Sequence, residues 1–375
     1  MAGIYIHIPF CKQKCFYCDF YSRITTDEKL YSDYVDALVK EIELRSNYLD
    51  EPVKTIYFGG GTPSTLNINL LNKIFDKLEN TFDTSQLDEV TFEVNPDDVD
   101  EDYIKSLRDK TPINRISIGV QSFSDKDLKF LNRRHNAKQA IEAVEILKKY
   151  FDNISLDLIY GIPGSPIKTW KKNLEIFFGL NIPHLSAYHL TIEENTVFGR
   201  WKQTGKISEI KEEESVEEFG LLMALTGKNG FMHYEISNFA REGYISKHNF
   251  SYWTGEKYLG LGTSAHSYNG TSRLWNIANV TKYIERINKG QLPAESEVLT
   301  RKDKFNEYVM TRLRTYLGID TGFLEKKFND YYGQIKNTLK EFEKNGFLEL
   351  KEKNYVLTDK GKFISDKIIE DLFIV

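Results

Sequence analysis

The stretch Tyr5-Ile6-His7-Ile8-Pro9-Phe10-Cys11-Lys12-Gln13-Lys14-Cys15-Phe16-Tyr17-Cys18-Asp19-Phe20 decides the fold. It begins in a β-branched run, Ile4–Ile8, and passes directly into a loop that holds all 3 cysteines of the chain. An odd number of cysteines packed this closely makes a poor disulfide framework. Thiolates that share a short loop can instead share a metal or a cluster. A structural zinc site wants four protein ligands, and a fourth cysteine does not exist here. The Cys11-x-x-x-Cys15-x-x-Cys18 spacing suits a [4Fe–4S] cluster with one iron lacking a protein ligand. The amino and carboxylate groups of S-adenosylmethionine (SAM) can chelate that iron, and an electron from the reduced cluster can then cleave the sulfonium to release a 5′-deoxyadenosyl radical.

Outward from this loop, short β-rich runs alternate with helical ones. The expected strands are Ile4–Ile8, Thr55–Phe58, Glu89–Val94, Arg115–Val120, Ser155–Tyr160 and Leu185–Leu190, mostly apolar or β-branched as buried parallel strands are. Between them, Tyr31, Tyr34, Val35, Leu38 and Ile42 share one helical face after a Thr26-Asp27 start. Leu71, Ile74, Phe75 and Leu78 share another, and Ile141, Val144 and Leu147 a third. Polar and glycine motifs follow the strands: the cysteine loop, Gly59-Gly60-Gly61-Thr62-Pro63, Asn95-Pro96, Gln121-Ser122-Phe123 and Gly161-Ile162-Pro163-Gly164. A β/α barrel builds its site from such loops. Six strands predict an α/β fold with a partial (β/α)6 TIM-like barrel.

The pattern weakens after about residue 200, with a helix expected over Glu213–Leu225 and a Gly/aromatic-rich stretch over Phe231–Tyr268. Residues 1–295 form the expected barrel unit with its extension, and residues 296–375 a second domain. There, helices over Asp303–Thr315, Thr321–Phe328 and Gln334–Asn345 precede a hairpin, Phe347–Leu350 with Asn354–Leu357, and a last helix over Asp359–Leu372. That order predicts a winged-helix-like α+β domain.

Composition narrows the partners. The formal charge is -5 over 375 residues, which argues against a broad nucleic-acid surface. The C-terminal module carries 15 Lys/Arg against 14 Asp/Glu, and so little net charge disfavours phosphate-driven DNA binding; a lid or docking role over the barrel mouth is expected instead. The N-terminus offers no basic region before an apolar run, and no stretch approaches the roughly 20 apolar residues of a membrane helix. A cytoplasmic protein is expected.

Tyr5-x-His7-Ile8-Pro9-Phe10-Cys11-x-x-x-Cys15-x-Tyr17-Cys18 resembles the signature of the radical SAM proteins related to oxygen-independent coproporphyrinogen III oxidase. The resemblance implies that Cys11, Cys15 and Cys18 hold the cluster and that Gly60, Gly61 and Thr62 of the glycine run receive the methionine end of SAM. It further implies that Glu93, Gln121, Arg133 and Asp157 are SAM-site residues and that Tyr5 and Tyr17 line the same pocket. A reductant such as flavodoxin or ferredoxin goes with that chemistry. The oxidases carry a fourth cysteine two places after the third, where this sequence has Phe20, and an N-terminal extension ahead of the first strand. Both differences argue against porphyrinogen decarboxylation as the activity.

A later motif, His248-Asn249-Phe250-Ser251-Tyr252-Trp253, resembles the His-Asn-x-x-Tyr-Trp pattern of the haem-chaperone (HemW-type) branch of these proteins. The resemblance implies haem as a further ligand and delivery of haem to an acceptor protein. A neutral imidazole is a natural axial ligand, so His248 is the haem-ligand candidate, followed by His7 and His266. The competing role for His248 is a hydrogen-bonded core position with Trp253 as packing. Tyr234-Glu235-Ile236-Ser237-Asn238-Phe239 resembles the same branch and is expected at a strand edge nearby.

Overall fold

The computed structural model describes residues 2–375; Met1, the first residue of the expected barrel unit, lies outside them. All six expected parallel strands form: β1 (Ala2–Ile8), β2 (Val53–Gly60), β3 (Glu89–Val94), β4 (Arg115–Gln121), β5 (Ile154–Tyr160) and β6 (His184–His189). They pair in sequence order. Two antiparallel strands, β7 (Met232–Glu235) and β8 (Asn238–Ala240), continue the sheet beyond β6. On the other side stands a seventh parallel strand, β9 (Lys257–Leu261), which pairs with β1 although about 250 residues separate them in sequence. Then follow β10 (His266–Tyr268), β11 (Ser272–Asn276) and β12 (Ala294–Val298), all antiparallel. The strand order has two ends, so the sheet curves as a partial barrel without closing.

The helices follow their periodicity. Helix Glu28–Leu44 starts at Asp27, whose carboxylate accepts from the Lys29 and Leu30 amides, and buries the Tyr31, Tyr34, Val35, Leu38 and Ile42 face against the sheet. Helix Ile68–Thr81 buries Leu71, Ile74, Phe75 and Leu78 in the same way. Among the described residues no helix is long and apolar enough to cross a membrane.

The C-terminal module has its own apolar core, including Phe305, Val309, Leu324, Ile335 and Ile368. It consists of helices Arg301–Leu313, Thr321–Lys327 and Asn329–Lys344, a hairpin Leu348–Lys351/Asn354–Leu357, and two short final helices. The last helix is broken into Asp359–Lys362 and Ser365–Asp371 rather than continuous. In the first piece, Gly361 packs so tightly that a Cβ there would lie 2.0 Å from the Phe347 carbonyl oxygen. The module docks on β7: the Tyr316 amide donates to the Tyr234 carbonyl at 3.0 Å, and the Ile236 amide to that of Arg314 at 3.1 Å. Those bonds cover an edge strand that would otherwise present unpaired backbone.

The barrel interior is polar at both ends. At the strand starts, Thr55, Glu89, Arg115, Ser155 and His184 are buried together. Helix Lys247–Thr254 closes this floor, capped by Ser246 and by Glu89, whose carboxylate accepts from the Lys247 and His248 amides at 2.8 and 2.9 Å.

Candidate functional site

At the opposite end, where the parallel strands finish, the sheet opens into a cavity of about 420 Å3. The cysteine loop roofs it. Cys11, Cys15 and Cys18 all line the cavity and are half-buried. The Cys18 amide donates to the Cys15 carbonyl at 3.3 Å, which curls the loop and turns the thiols to one side. Burial pushes the Cys18 thiol up to about 11, and the nearby Cys15 and Cys11 add to the shift. Burial raises Cys11 too, against a hydrogen bond from Thr62. Three mutually interacting, poorly solvated thiols fit a cluster whose irons take the sulfur as thiolate, because the metal supplies the positive charge that burial removes.

The walls come from the strand ends. Tyr17, Gly60, Gly61, Thr62, Glu93, Gln121, Arg133 and Asp157 all face this cavity. Arg133 organises one side. Its Nη1 donates to Cys15 Sγ at 3.3 Å, and its Nη2 to Asn95 Oδ1 and the Gly119 carbonyl, both at 2.6 Å. Asn95 Nδ2 in turn donates to Thr62 Oγ1 at 3.0 Å, and the Thr62 hydroxyl to Cys11 Sγ at 3.5 Å. One chain of donors therefore reaches two of the three sulfurs. Burial works against the Arg133 charge, but Tyr17, Cys15 and Asp97 outweigh it and hold the guanidinium protonated.

Two carboxyls occupy the other side. Burial lifts Glu93 to about 7, even though the Tyr57 hydroxyl donates to it at 2.7 Å. Burial likewise lifts Asp157 to about 6, against hydrogen bonds from Ser186 and Ser117. Desolvated carboxyls that lack a full countercharge suit a cationic ligand, whose arrival would favour their ionised forms. SAM carries an ammonium and a sulfonium, so the lining fits it. Gln121 holds a left-handed backbone, φ 69°, where the pairing of β4 with β5 shifts register. Strain of this kind in a residue other than glycine concentrates at ligand sites.

Two expectations, for Tyr5 and His248, need correction. Tyr5 does not line the cavity; its ring lies behind Tyr57, stacked at 6.1 Å, and its hydroxyl meets His7 Nδ1 at 3.2 Å. The glycine run lines the cavity and also makes room for protein: a Cβ on Gly60, at φ 105°, would lie 2.5 Å from the His7 ring, and one on Gly61 2.7 Å from the Phe10 carbonyl oxygen. His248 is not available to iron. It is fully buried in the floor, with Nδ1 on Thr55 Oγ1 and Nε2 on the Tyr252 hydroxyl, both at 2.8 Å. Burial lowers its pKa to about 3. The His-Asn-x-x-Tyr-Trp segment thus forms the plug of the barrel, and of its residues Asn249 reaches the cavity from below. The other two histidine candidates divide: His7 is buried and bonded through both ring nitrogens, while His266 is exposed on β10, away from the cavity.

Sequence reading missed Tyr57, Ser117, Ser186, Tyr188, His189 and Asn249, all of which line the cavity. Ser117 and Ser186 were findable in principle, because Glu93 is in register with Ser117 and Asp157 with Ser186, so they share its inward parity.

Comparison with known proteins adds to this geometry. Residues 5–176 match the family model of the Radical SAM superfamily, and residues 299–364 that of the HemN C-terminal domain. The chain is 34% identical over 374 residues to the heme chaperone HemW of Lactococcus lactis subsp. lactis (strain IL1403), covering 98% of this chain and 96% of that protein. It is 33% identical over 376 residues to the heme chaperone HemW of Bacillus subtilis (strain 168), covering 98% of each. Among solved structures, coproporphyrinogen III oxidase (HemN) from Escherichia coli superposes with a TM-score of 0.85 at 23% identity, over 99% of this chain and 89% of that one. At that identity the likeness speaks for the fold.

Proposed function

The chain belongs to the HemW family of the radical SAM superfamily, and we propose on that premise that it binds a [4Fe–4S] cluster, SAM and haem and passes the haem to an acceptor protein. The observation that carries the reading over an oxidase is at position 20. There the cavity rim presents the ring of Phe20, 66% exposed, and no thiol.

In this reading Cys11, Cys15 and Cys18 hold the cluster, and Gly60, Gly61, Thr62, Glu93, Gln121, Arg133 and Asp157 receive SAM. When bound, the cluster supplies an electron and an open iron for SAM. The chain's own residues do the positioning. Arg133 and Thr62 donate to cysteine sulfurs, which offsets thiolate charge. Tyr57 fixes one oxygen of Glu93, and the Gly60 backbone adds a hydrogen bond to the same carboxyl. Partial burial of both carboxyls leaves them under-solvated and favours a cationic ligand. We place the domain boundary near residue 295 and assign the winged-helix-like module a docking role. A cytoplasmic setting, with flavodoxin or ferredoxin as reductant, is supported by three free cysteines that need a reducing compartment.

Haem titration of the cluster-loaded protein tests the proposal. A saturable Soret band at about one haem per chain is the expected result, and no band removes the haem role. Anaerobic incubation with SAM, reductant and coproporphyrinogen III is the companion assay. Multiple-turnover formation of protoporphyrinogen IX would overturn the chaperone reading in favour of the oxidase.

A further inference from the structure

With His248 in the floor, haem needs another ligand, and the 7 histidines can be sorted by what their ring nitrogens already do. His7, His184 and His248 are buried with both nitrogens hydrogen-bonded. His135 and His233 each use Nε2 on a backbone carbonyl, and their Nδ1 atoms are buried. Only His189 and His266 are exposed, and neither has a hydrogen-bond partner among the described residues. His266 stacks on Trp275 away from the cavity. His189 stands at the end of β6, on the cavity rim.

The surroundings of His189 suit a flat apolar ligand. Its ring meets the edge of Tyr160 at 5.2 Å, and the neighbouring Tyr188 is 42% exposed on the same rim as Phe20. A satellite apolar cluster containing Leu190 and Phe198 runs from Tyr17 in the cavity wall to Phe130 and Ile207. Those two residues line a shallow depression of about 750 Å3 that also carries Lys206 and Lys202, the latter paired with Glu209 at 2.7 Å, a pair that a propionate would have to share. Glu209, on the edge of that depression, is near enough to act on the charge of His189. Partial burial keeps the His189 imidazole below its usual pKa, so the ring is neutral at neutral pH; its Nε2 edge rests against Gly161 without a hydrogen bond, and a turn of the ring about its side-chain bonds presents that nitrogen to the mouth.

We propose that haem binds across the cavity mouth with His189 as its axial iron ligand, the porphyrin lying over the depression and its propionates toward Lys202 and Lys206. This rests on the haem-binding reading above. It puts haem on the same face as the cluster loop, at the end of the barrel opposite His248.

The test is haem titration of cluster-loaded protein, followed by electron paramagnetic resonance of the ferric complex, in which the oxidised cluster is silent. Wild type is expected to give a histidine-ligated ferric signal. His189→Ala should weaken haem binding at least tenfold and lose that signal, with added imidazole restoring it. His189→Met should keep a ligand but shift the spectrum, and His266→Ala should match wild type. Far-UV circular dichroism and the cooperative urea transition of each variant report that it has folded. A wild-type signal and affinity in His189→Ala would overturn the assignment, as would loss of the signal in His266→Ala. If wild type bound no haem at all, the underlying function would fail as well, which separates the two outcomes.

Discussion

Replacing Glu41 by alanine removes a carboxylate that ties its helix to a late region of the chain, at Gly262, Asn276 and Tyr283. Glu41 is fully buried in helix Glu28–Leu44. It accepts from Arg45 Nε at 2.9 Å, Asn276 Nδ2 at 2.7 Å, the Tyr283 hydroxyl at 2.6 Å and the Gly262 amide at 2.8 Å. Gly262 follows β9, so this carboxylate helps seat the late strand beside β1. Tyr34 completes the clamp, with its hydroxyl donating to the His7 carbonyl at 2.8 Å and accepting from the Thr263 amide at 3.0 Å. Removing one member of a buried ion pair costs about 3–5 kcal/mol, because the partner charge stays buried. Arg45 is 5% exposed and would keep only its 2.8 Å bond to Asn276. The orphaned Gly262 amide and Tyr283 hydroxyl would add about 1–3 kcal/mol each if water could not reach them. Allowing water into the space left by the side chain, we expect a net loss of about 4 kcal/mol. With a urea dependence of about 2–3 kcal/mol per molar, the midpoint should fall by about 1.3–2 M. Far-UV circular dichroism during urea titration measures it. Glu41→Gln should lose less, and Glu41→Met with Arg45→Met should recover much of the loss, since neither charge is then stranded. A loss below about 1 kcal/mol in Glu41→Ala would refute the reasoning.

Other expectations follow from the cavity. Glu93 and Asp157 have folded values raised to about 7 and about 6. The folded state therefore binds more protons than the unfolded one between about pH 4 and 7, and the ligand-free protein should lose stability as pH rises through that window. SAM binding should show the opposite trend, tightening from pH 6 to 8 and releasing protons. Calorimetry in buffers of different ionisation heat detects this, and pH-independent affinity would discard the cation-site role. Gly60→Ala places a Cβ against His7 at a backbone angle that alanine resists, so cluster loading should collapse; normal iron content after reconstitution would show that the loop tolerates the change. Arg133→Lys cannot reach Cys15, Asn95 and Gly119 together, and losing charge-assisted bonds of about 1.5–3 kcal/mol should raise the SAM dissociation constant by roughly tenfold or more. Equilibrium dialysis with the cluster in place checks it.

The order of the six strands and the cysteine loop after the first were legible because they are local. A β-branched run, a helical face at threefold and fourfold spacing, and a capping aspartate each declare themselves within about ten residues. The carboxyls at the strand ends followed from the resemblance. Strand β9 was not legible. Lys257–Leu261 is short, lies in a glycine- and aromatic-rich stretch, and acquires its meaning only by pairing with β1. The winged-helix-like order of elements was visible, but not the bonds from Ile236 and Tyr316 that dock the module on β7.

The histidines mark the division most sharply. The sequence by itself determined that three thiols share one loop, that the loop follows the first strand, and that no fourth thiol stands at position 20. It also identified His248 as chemically able to bind iron, which every neutral imidazole is. Only the tertiary structure decided which end of the barrel each side chain occupies. Helix Lys247–Thr254 inserts at the strand starts, where Thr55 and Tyr252 use both nitrogens of His248. His189, in a segment with no motif to mark it, ends a strand and meets the open mouth with neither ring nitrogen hydrogen-bonded. The physical reason is that ligation depends on solvent access and an unspent lone pair. Both are set by contacts between residues distant in sequence, which local pattern does not encode.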